Sequence, residues 1–392
     1  MKIVNLVGSL GIGGIQVYLL HLSRFDKKNG ISRRVITLHN NDGALRNQFL
    51  DNGVKIDFCP VIPIDRGWRP YFLWKRIRNF GSLFFIFKLL LKLKKLSPDI
   101  IIIEEPVKLI TQIWVAKFLN IPIIWVIHAE RALVKGKNFF KWSYIYFLKH
   151  HLNIISDSKY VLYKNIGHLK SNKRINFDKF PIIHATTDLT NFLSLKINYH
   201  SMMGSDNKTY VQFGTVGRLN WSKGFDHLII ALAEIKKKTS NFHLKIAGEG
   251  PFKNTLQNLI QKNQLESNVK ILGEINHNEV SEFLNDLNIY IQPSISEGSP
   301  VTLKEAMASG LPILASDAGG IPEIIENNIT GFIFQKGNIK ELAKCILKIM
   351  KLDHKKKKKI GLMARKKARE MYGIELTSKK LATIYKKILD VK

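Results

Sequence analysis

The chain has 392 residues, 45% hydrophobic and 23% charged, with 61 Lys+Arg against 31 Asp+Glu. That length suits two domains better than one core, and the balance excludes a disordered chain. The formal net charge of +30 fits an anionic membrane surface, nucleic acid or compositional drift toward lysine, and selects none of them alone.

The first apolar run, Ile3-Val-Asn-Leu-Val7, is short, contains Asn5 and runs into glycine, so it reads as a buried strand and not a secretory leader. Further strands are predicted at residues 34–38, 55–59, 100–103, 123–127 and 153–155, with helical patterns at 16–25, 84–96 and 109–119. The alternation lapses near 193–208, a polar stretch read as a linker. It resumes with strands at 210–216, 243–247, 269–272, 289–292 and 312–315 and helices at 225–237, 252–262, 278–284 and 302–309. Lysine-rich helical segments close the chain.

This pattern predicts an α/β protein of two doubly wound, Rossmann-like domains facing a central cleft. The expected division is 1–192, linker 193–208, second domain 209–372 and a final segment 373–392. No apolar run reaches the roughly 18–20 residues of a spanning helix. Cys59 and Cys345 match no disulfide or metal-ligand spacing, which points to a reducing, cytoplasmic setting.

In such sheets ligands sit where strand ends meet helix starts. The first such turn is Gly8-Ser-Leu-Gly-Ile-Gly-Gly14, whose glycines permit close backbone approach to a phosphate or sugar. It is neither a dinucleotide fingerprint nor a P-loop. The second is Phe213-Gly-Thr-Val-Gly-Arg-Leu-Asn-Trp-Ser-Lys-Gly224. Arg218 and Lys223 there suit a diphosphate, a two-oxygen grip beside a point charge. The third, Gln292-Pro-Ser-Ile-Ser-Glu-Gly-Ser-Pro-Val-Thr-Leu-Lys-Glu305, sets Glu297 in the turn and Glu305 on the following helix. Pro300 suits the first helical turn, and amides near Gly298 to Val301 suit a phosphate.

Gly217-Arg218-Leu219, Lys223-Gly224, Ala247-Gly248-Glu249-Gly250-Pro251, Glu297 with Glu305, and Ala318-Gly-Gly-Ile-Pro-Glu323 occur in this order. Together they resemble glycosyltransferase family four over roughly 211–348. The first half is similar more loosely, through Gly13-Gly14, His128 and Ser158-x-x-Val161. The resemblance implies a GT-B fold, a nucleotide-diphosphate sugar donor and retention of configuration, with a last helix that crosses back to the first domain. It implies that Arg218 and Lys223 bind the diphosphate, Glu305 the ribose and Glu297 the transferred sugar. Gly298, Ser299, Pro300 and Val301 would add backbone contacts, and Gly217 belongs to the same loop. Gly13 and Gly14 would face the donor, His128 would lie near its sugar, and Gly248 and Gly273 mark the base site. Ala185-Thr-Thr-Asp188 and Gln16 depart from the family pattern on the acceptor side or at the hinge.

No Asp-x-Asp occurs, so metal-independent transfer is expected, with no cofactor. The expected acceptor is a saccharide or lipid-linked saccharide in bacterial surface-polysaccharide assembly. Arg66-Gly-Trp-Arg-Pro-Tyr-Phe-Leu-Trp-Lys-Arg-Ile-Arg-Asn-Phe80 holds five basic residues, five aromatics and no acid. That blend suits an anionic membrane surface on the inner face of the cytoplasmic membrane. Nucleic acid is not the expected partner. The alternatives are a non-catalytic or nucleic-acid-binding protein on the same fold, a nucleotide-sugar epimerase and a phosphorylase.

Overall fold

The structure, a computed structural model, describes residues 1–11, 14–39, 43–60, 71–104, 109–128, 152–167, 179–195 and 210–390, with 71–83 and 152 described by backbone alone. The chain divides into two compact units, Met1–Ala185 with Ile374–Lys392, and Thr186–Gly373. The first crossing thus falls ahead of the stretch 193–208 read as a linker, most of which lies outside the described residues. The closing helix groups with the first unit.

In the first unit, β1 (Lys2–Val7), β2 (Ser32–Thr37), β3 (Lys55–Phe58), β4 (Ile100–Ile103), β5 (Ile123–Ile127) and β6 (Leu152–Ser156) form one sheet. Its order is β3-β2-β1-β4-β5-β6 and every pair is parallel. Both faces are covered, so strand residues alternate between two cores. Ile101 and Ile103 join Trp125 and Leu89 on one face, while Ile100 and Ile102 join Tyr18 and Tyr385 on the other. The helices are α1 (Gly14–Ser23), α2 (Arg46–Asp51), α3 (Tyr71–Leu96), α4 (Leu109–Phe118), α5 (Lys159–Ile166) and α14 (Ile374–Asp390).

Helix α3 begins thirteen residues before the pattern at 84 suggested, because the basic and aromatic residues of its first half mask any helical period. Its second half buries Phe85, Leu89 and Leu93 at four-residue spacing. The Ser158-x-x-Val161 motif is a helix start. The Ser158 hydroxyl accepts from the Val161 amide at 3.1 Å and caps α5.

The second unit repeats the plan. Strands β7 (Val211–Val216), β8 (Phe242–Ala247), β9 (Val269–Gly273), β10 (Ile289–Gln292), β11 (Ile313–Ser316) and β12 (Phe332–Phe334) run in the order β12-β11-β10-β7-β8-β9, again all parallel. Around them lie α6 (Thr190–Ser194), α7 (Phe225–Lys236), α8 (Lys253–Lys262), α9 (Val280–Asn285), α10 (Val301–Ala308), α11 (Ile321–Ile324), α12 (Ile339–Met350) and α13 (His354–Met371). Each sheet changes winding direction beside its first strand, β1/β4 in one unit and β7/β10 in the other. Loops after those strands line a crevice in this fold class.

Candidate active site

In the second unit the backbone beyond β7, β8 and β9 is stitched together. The Gly217 amide donates to the Ala247 carbonyl (3.0 Å), Leu219 to Glu249 (2.9 Å) and Gly248 to Gly273 (2.7 Å). Gly248 sits at φ +146°, and a Cβ there would lie 1.9 Å from the Gly217 carbonyl oxygen. Glycine is required because two backbones meet.

This lattice presents the loop that carries Arg218 and Lys223. Arg218 is exposed, and its guanidinium has no hydrogen-bond or ion-pair partner among the described residues. Lys223 ends a 3-10 turn, Trp221–Lys223. The Ser222 carbonyl accepts from the Ile295 (2.8 Å) and Ser296 (3.3 Å) amides, joining the loops after β7 and β10.

That join delivers Lys223 to Glu297. The ammonium donates to Glu297 Oε1 at 2.5 Å, and the same oxygen accepts from Gln292 Nε2 (3.0 Å) and Ser294 Oγ (2.8 Å). Behind them, the Tyr290 hydroxyl donates to Gln292 Oε1 (2.7 Å) and Ser316 Oγ to the Ser294 carbonyl (2.6 Å). Gln292 and Ser294 are fully buried, so this relay fixes the carboxylate from within the sheet. Gly319, at φ +59°, lets its strand-end turn approach: a Cβ there would stand 1.7 Å from the Glu297 carbonyl oxygen.

Helix α10 follows directly. Pro300 is its N-cap, at the edge of the first helical turn expected of it. From Leu303 to Ala308 every side chain is buried. Glu305 is 1% exposed, and its Oε1 has no hydrogen-bond partner among the described residues. Burial pushes its carboxyl up to about 8, against the opposing pull of Lys304. His277 Nδ1 stands 3.8 Å from that oxygen, beyond hydrogen-bond reach. A buried acceptor left unmatched is costly unless a ligand donor completes it.

The first unit gathers charge at its strand ends differently. Glu104, His128 and Asp157 each follow a strand, β4, β5 and β6. His128 Nδ1 meets Asp157 Oδ2 at 2.9 Å and Nε2 meets Glu104 Oε2 at 2.7 Å. Burial alone would lower the imidazole's pKa, but the two carboxylates outweigh it and raise it to about 10. Glu104 Oε1 accepts from Asn5 Nδ2 (2.6 Å), Asn5 Oδ1 from Arg33 Nη1 (2.7 Å), and Arg33 grips Asp26 through two bonds of 2.7 and 2.9 Å. A cavity of about 520 Å³ opens at the opposite edge of this sheet, lined by residues such as Lys2, Arg33 and Lys55 at the strand starts.

Two family models match, "Glycosyltransferase Family 4" over residues 12–188 and "Glycosyl transferases group 1" over residues 204–367. The chain belongs to the family-four glycosyltransferases. WcaL of Salmonella typhimurium, a glycosyltransferase named for colanic acid biosynthesis, is 27% identical over 217 residues, 54% of this chain and 52% of that one. The amylovoran biosynthesis glycosyltransferase AmsK of Erwinia amylovora is 35% identical over 141 residues, 34% of this chain and 35% of that one. The matched stretches span about half or less of these relatives' length. Among solved structures, HepE of Anabaena in complex with UDP superimposes with a TM-score of 0.79 at 18% identity, covering 99% of this chain and 100% of that one. HepE in complex with UDP-glucose gives 0.77 at 18%, with the same coverage. The fold of this family-four chain is GT-B.

Of the residues named from the sequence, Arg218, Lys223, Glu297, Gly298, Ser299, Pro300, Val301 and Glu305 lie on the loops after β7 and β10 or on α10. Gly217, Gly248 and Gly273 form the backbone lattice beside them. Gly14 opens α1, where a Cβ would meet nothing within 4 Å, and Gly13 lies outside the described residues. His128 lies in the first unit with both ring nitrogens committed to carboxylates. Sequence reasoning missed Tyr290, Gln292, Ser294, Lys304 and His277 in the second unit and Asn5, Arg33, Glu104 and Asp157 in the first. Acids placed directly after predicted strands were the available signal for Glu104 and Asp157. Among the described residues no group of three His, Cys, Asp or Glu could hold a metal ion.

Proposed function

We propose that the protein is a retaining glycosyltransferase that moves a hexose-type sugar from a nucleotide-diphosphate donor to a saccharide or lipid-linked saccharide acceptor, without a metal ion, in bacterial surface-polysaccharide assembly. The observation that carries this reading is the buried Glu305 oxygen, unmatched among the described residues, on the helix that follows the loop of the Lys223–Glu297 pair, with the Arg218 guanidinium also unpaired among those residues. The matches to WcaL and AmsK support the polysaccharide setting, and the UDP and UDP-glucose complexes of HepE support a nucleotide-sugar donor.

Departure of the nucleoside diphosphate builds negative charge on its β-phosphate. Arg218, Lys223 and the amides of 298–301 meet that charge already oriented, which is where preorganised dipoles act most strongly. Glu305 accepts from a ribose hydroxyl. Lys223 turns from Glu297 to the phosphate, and the freed carboxylate accepts from the sugar's hydroxyls, held in place by Gln292 and Ser294. For retention, the acceptor hydroxyl attacks the anomeric carbon on the face the diphosphate leaves, and its proton passes to the departing phosphate oxygen. His128 keeps its ring oriented through Asp157 and Glu104.

The test is incubation with UDP-, GDP- and ADP-hexoses in EDTA with oligosaccharide or lipid-linked acceptors, followed by NMR of the new linkage. A product of the donor's anomeric configuration is expected. Inversion, or turnover only on adding Mg²⁺ or Mn²⁺, contradicts the reading.

Among the described residues no helix is long and apolar enough to cross a membrane. We place the protein on the inner face of the cytoplasmic membrane through the first unit. The stretch 66–80 falls outside the described residues up to 70, and 71–80 opens α3. The rest of α3 exposes Phe84, Phe87 and Leu91, and α4 exposes Trp114 and Phe118, the last 76% open. Lys88 stacks over Phe84 and Lys117 over Trp114. Exposed aromatics interleaved with lysines suit an anionic headgroup layer. Flotation with anionic vesicles at low salt, and loss of flotation at high salt, is the expected result.

A further inference from the structure

Lys304 is a charged side chain for which the reaction described above has no use. It lies on α10 immediately before Glu305 and is 0% exposed. Its ammonium donates to Ser299 Oγ at 2.7 Å and to the Ser299 carbonyl at 3.3 Å, and sits 5.5 Å from the centroid of the Tyr372 ring. Tyr372 is the penultimate residue of the second unit, and its carbonyl accepts from the Thr186 hydroxyl.

Burying an ammonium carries a desolvation cost of several kcal/mol, and an apolar side chain of similar length commonly avoids it without loss of stability. Packing therefore does not account for a lysine here. Two of its hydrogen bonds fall instead on Ser299, within the turn 298–301 assigned to the donor. An unscreened positive charge behind that turn raises the potential at the very place where phosphate charge builds.

We propose that Lys304 is a positioning residue for the donor diphosphate: its buried amino group fixes the Ser299 turn and, as an ammonium, places a positive charge behind the amides that receive the phosphates. This rests on the donor reading of the same site. Lys304 does not touch the donor, so its effect falls on the charged part of the ligand and not on the nucleoside. A lysine that only braces Tyr372 would affect both alike or neither.

The experiment is calorimetric titration of the full chain in EDTA with UDP and with uridine, or with GDP or ADP and the matching nucleoside where the wild type binds one of those instead, for the wild type, Lys304→Met and Ser299→Ala. Melting curves establish that each variant is folded. For Lys304→Met the expected result is UDP binding weakened about tenfold or more, with uridine binding unchanged. The loss persists at high salt, because a buried charge is poorly screened. Ser299→Ala, which keeps the charge but removes its hydroxyl anchor, shifts UDP in the same direction by less. It carries the test if Lys304→Met does not fold. Equal losses for UDP and uridine, or no loss for UDP, overturn the proposal while leaving the donor site standing. A wild type that binds neither UDP, GDP nor ADP overturns the donor site and this proposal together.

Discussion

The two sheets share one strand order, yet the polar groups at their carboxyl edges are organised on opposite principles. In the first unit, Glu104, His128 and Asp157 at that edge join a buried chain that runs through Asn5 to Arg33 and Asp26 at the strand starts, and each charge in it meets a partner. In the second, Glu305 keeps a buried oxygen unmatched, Arg218 stands exposed, and Lys223 and Glu297 are paired at the mouth of the loops. A closed network holds a scaffold rigid, whereas an edge with open valences is built for something that arrives. Topology alone does not distinguish the two edges. The accounting of hydrogen bonds does.

The comparison is broken most severely by opening the closed network. Arg33→Leu leaves Asp26 buried and uncompensated, and should cost about 3–5 kcal/mol of stability in urea unfolding. The second edge should answer in the opposite way. Arg218→Ala and Glu297→Ala are each expected to leave the melting curve in place and lower kcat about 100- to 1000-fold. Equal destabilisation by both sets of variants would erase the distinction.

Titration sharpens it further. Glu305 binds its proton more tightly folded than unfolded, so the donor-free protein should lose stability as pH rises from the usual 4.5 to about 8. Glu305→Gln should remove that slope between 4.5 and 6.5 and lessen it from there to about 8. His128 is also raised, from 6.5 to about 10, so the stability it contributes is complete below 6.5 and fades toward 10. That upper loss should persist in Glu305→Gln. The smallest effect belongs to local structure: Ser158→Ala should cost about 1 kcal/mol through loss of the α5 cap.

Much of this architecture is legible in the residues. The runs at 100–103, 123–127 and 289–292 coincide with β4, β5 and β10, because strands buried on both faces are short, predominantly apolar and sharply bounded. The loop residues at Arg218, Lys223, Glu297 and Glu305 stand out because unusual types follow strands at fixed distances. The three-residue strand β12 offers too little pattern to notice. Lys304 resembles an ordinary exposed helical lysine. Its burial is foreshadowed only by Ala306-Met-Ala-Ser-Gly310, whose small residues show that α10 has no solvent face. Gln292 ends β10 and Ser294 follows it, and their shared target becomes visible only when the turn folds back. The first unit's network was hidden for another reason. Asn5, Arg33 and Glu104 come from three strands or strand ends, joined by pairing that no local window contains.

The central claim is that the second sheet's edge receives an activated sugar through its diphosphate. A crystal structure of the protein with its nucleotide sugar tests this most directly. The account predicts diphosphate oxygens within hydrogen-bond reach of Arg218 and Lys223, a ribose hydroxyl on Glu305, and the 2.5 Å contact between Lys223 and Glu297 opened. A diphosphate bound elsewhere, or one bound with that contact intact and Glu305 still unmatched, would contradict it.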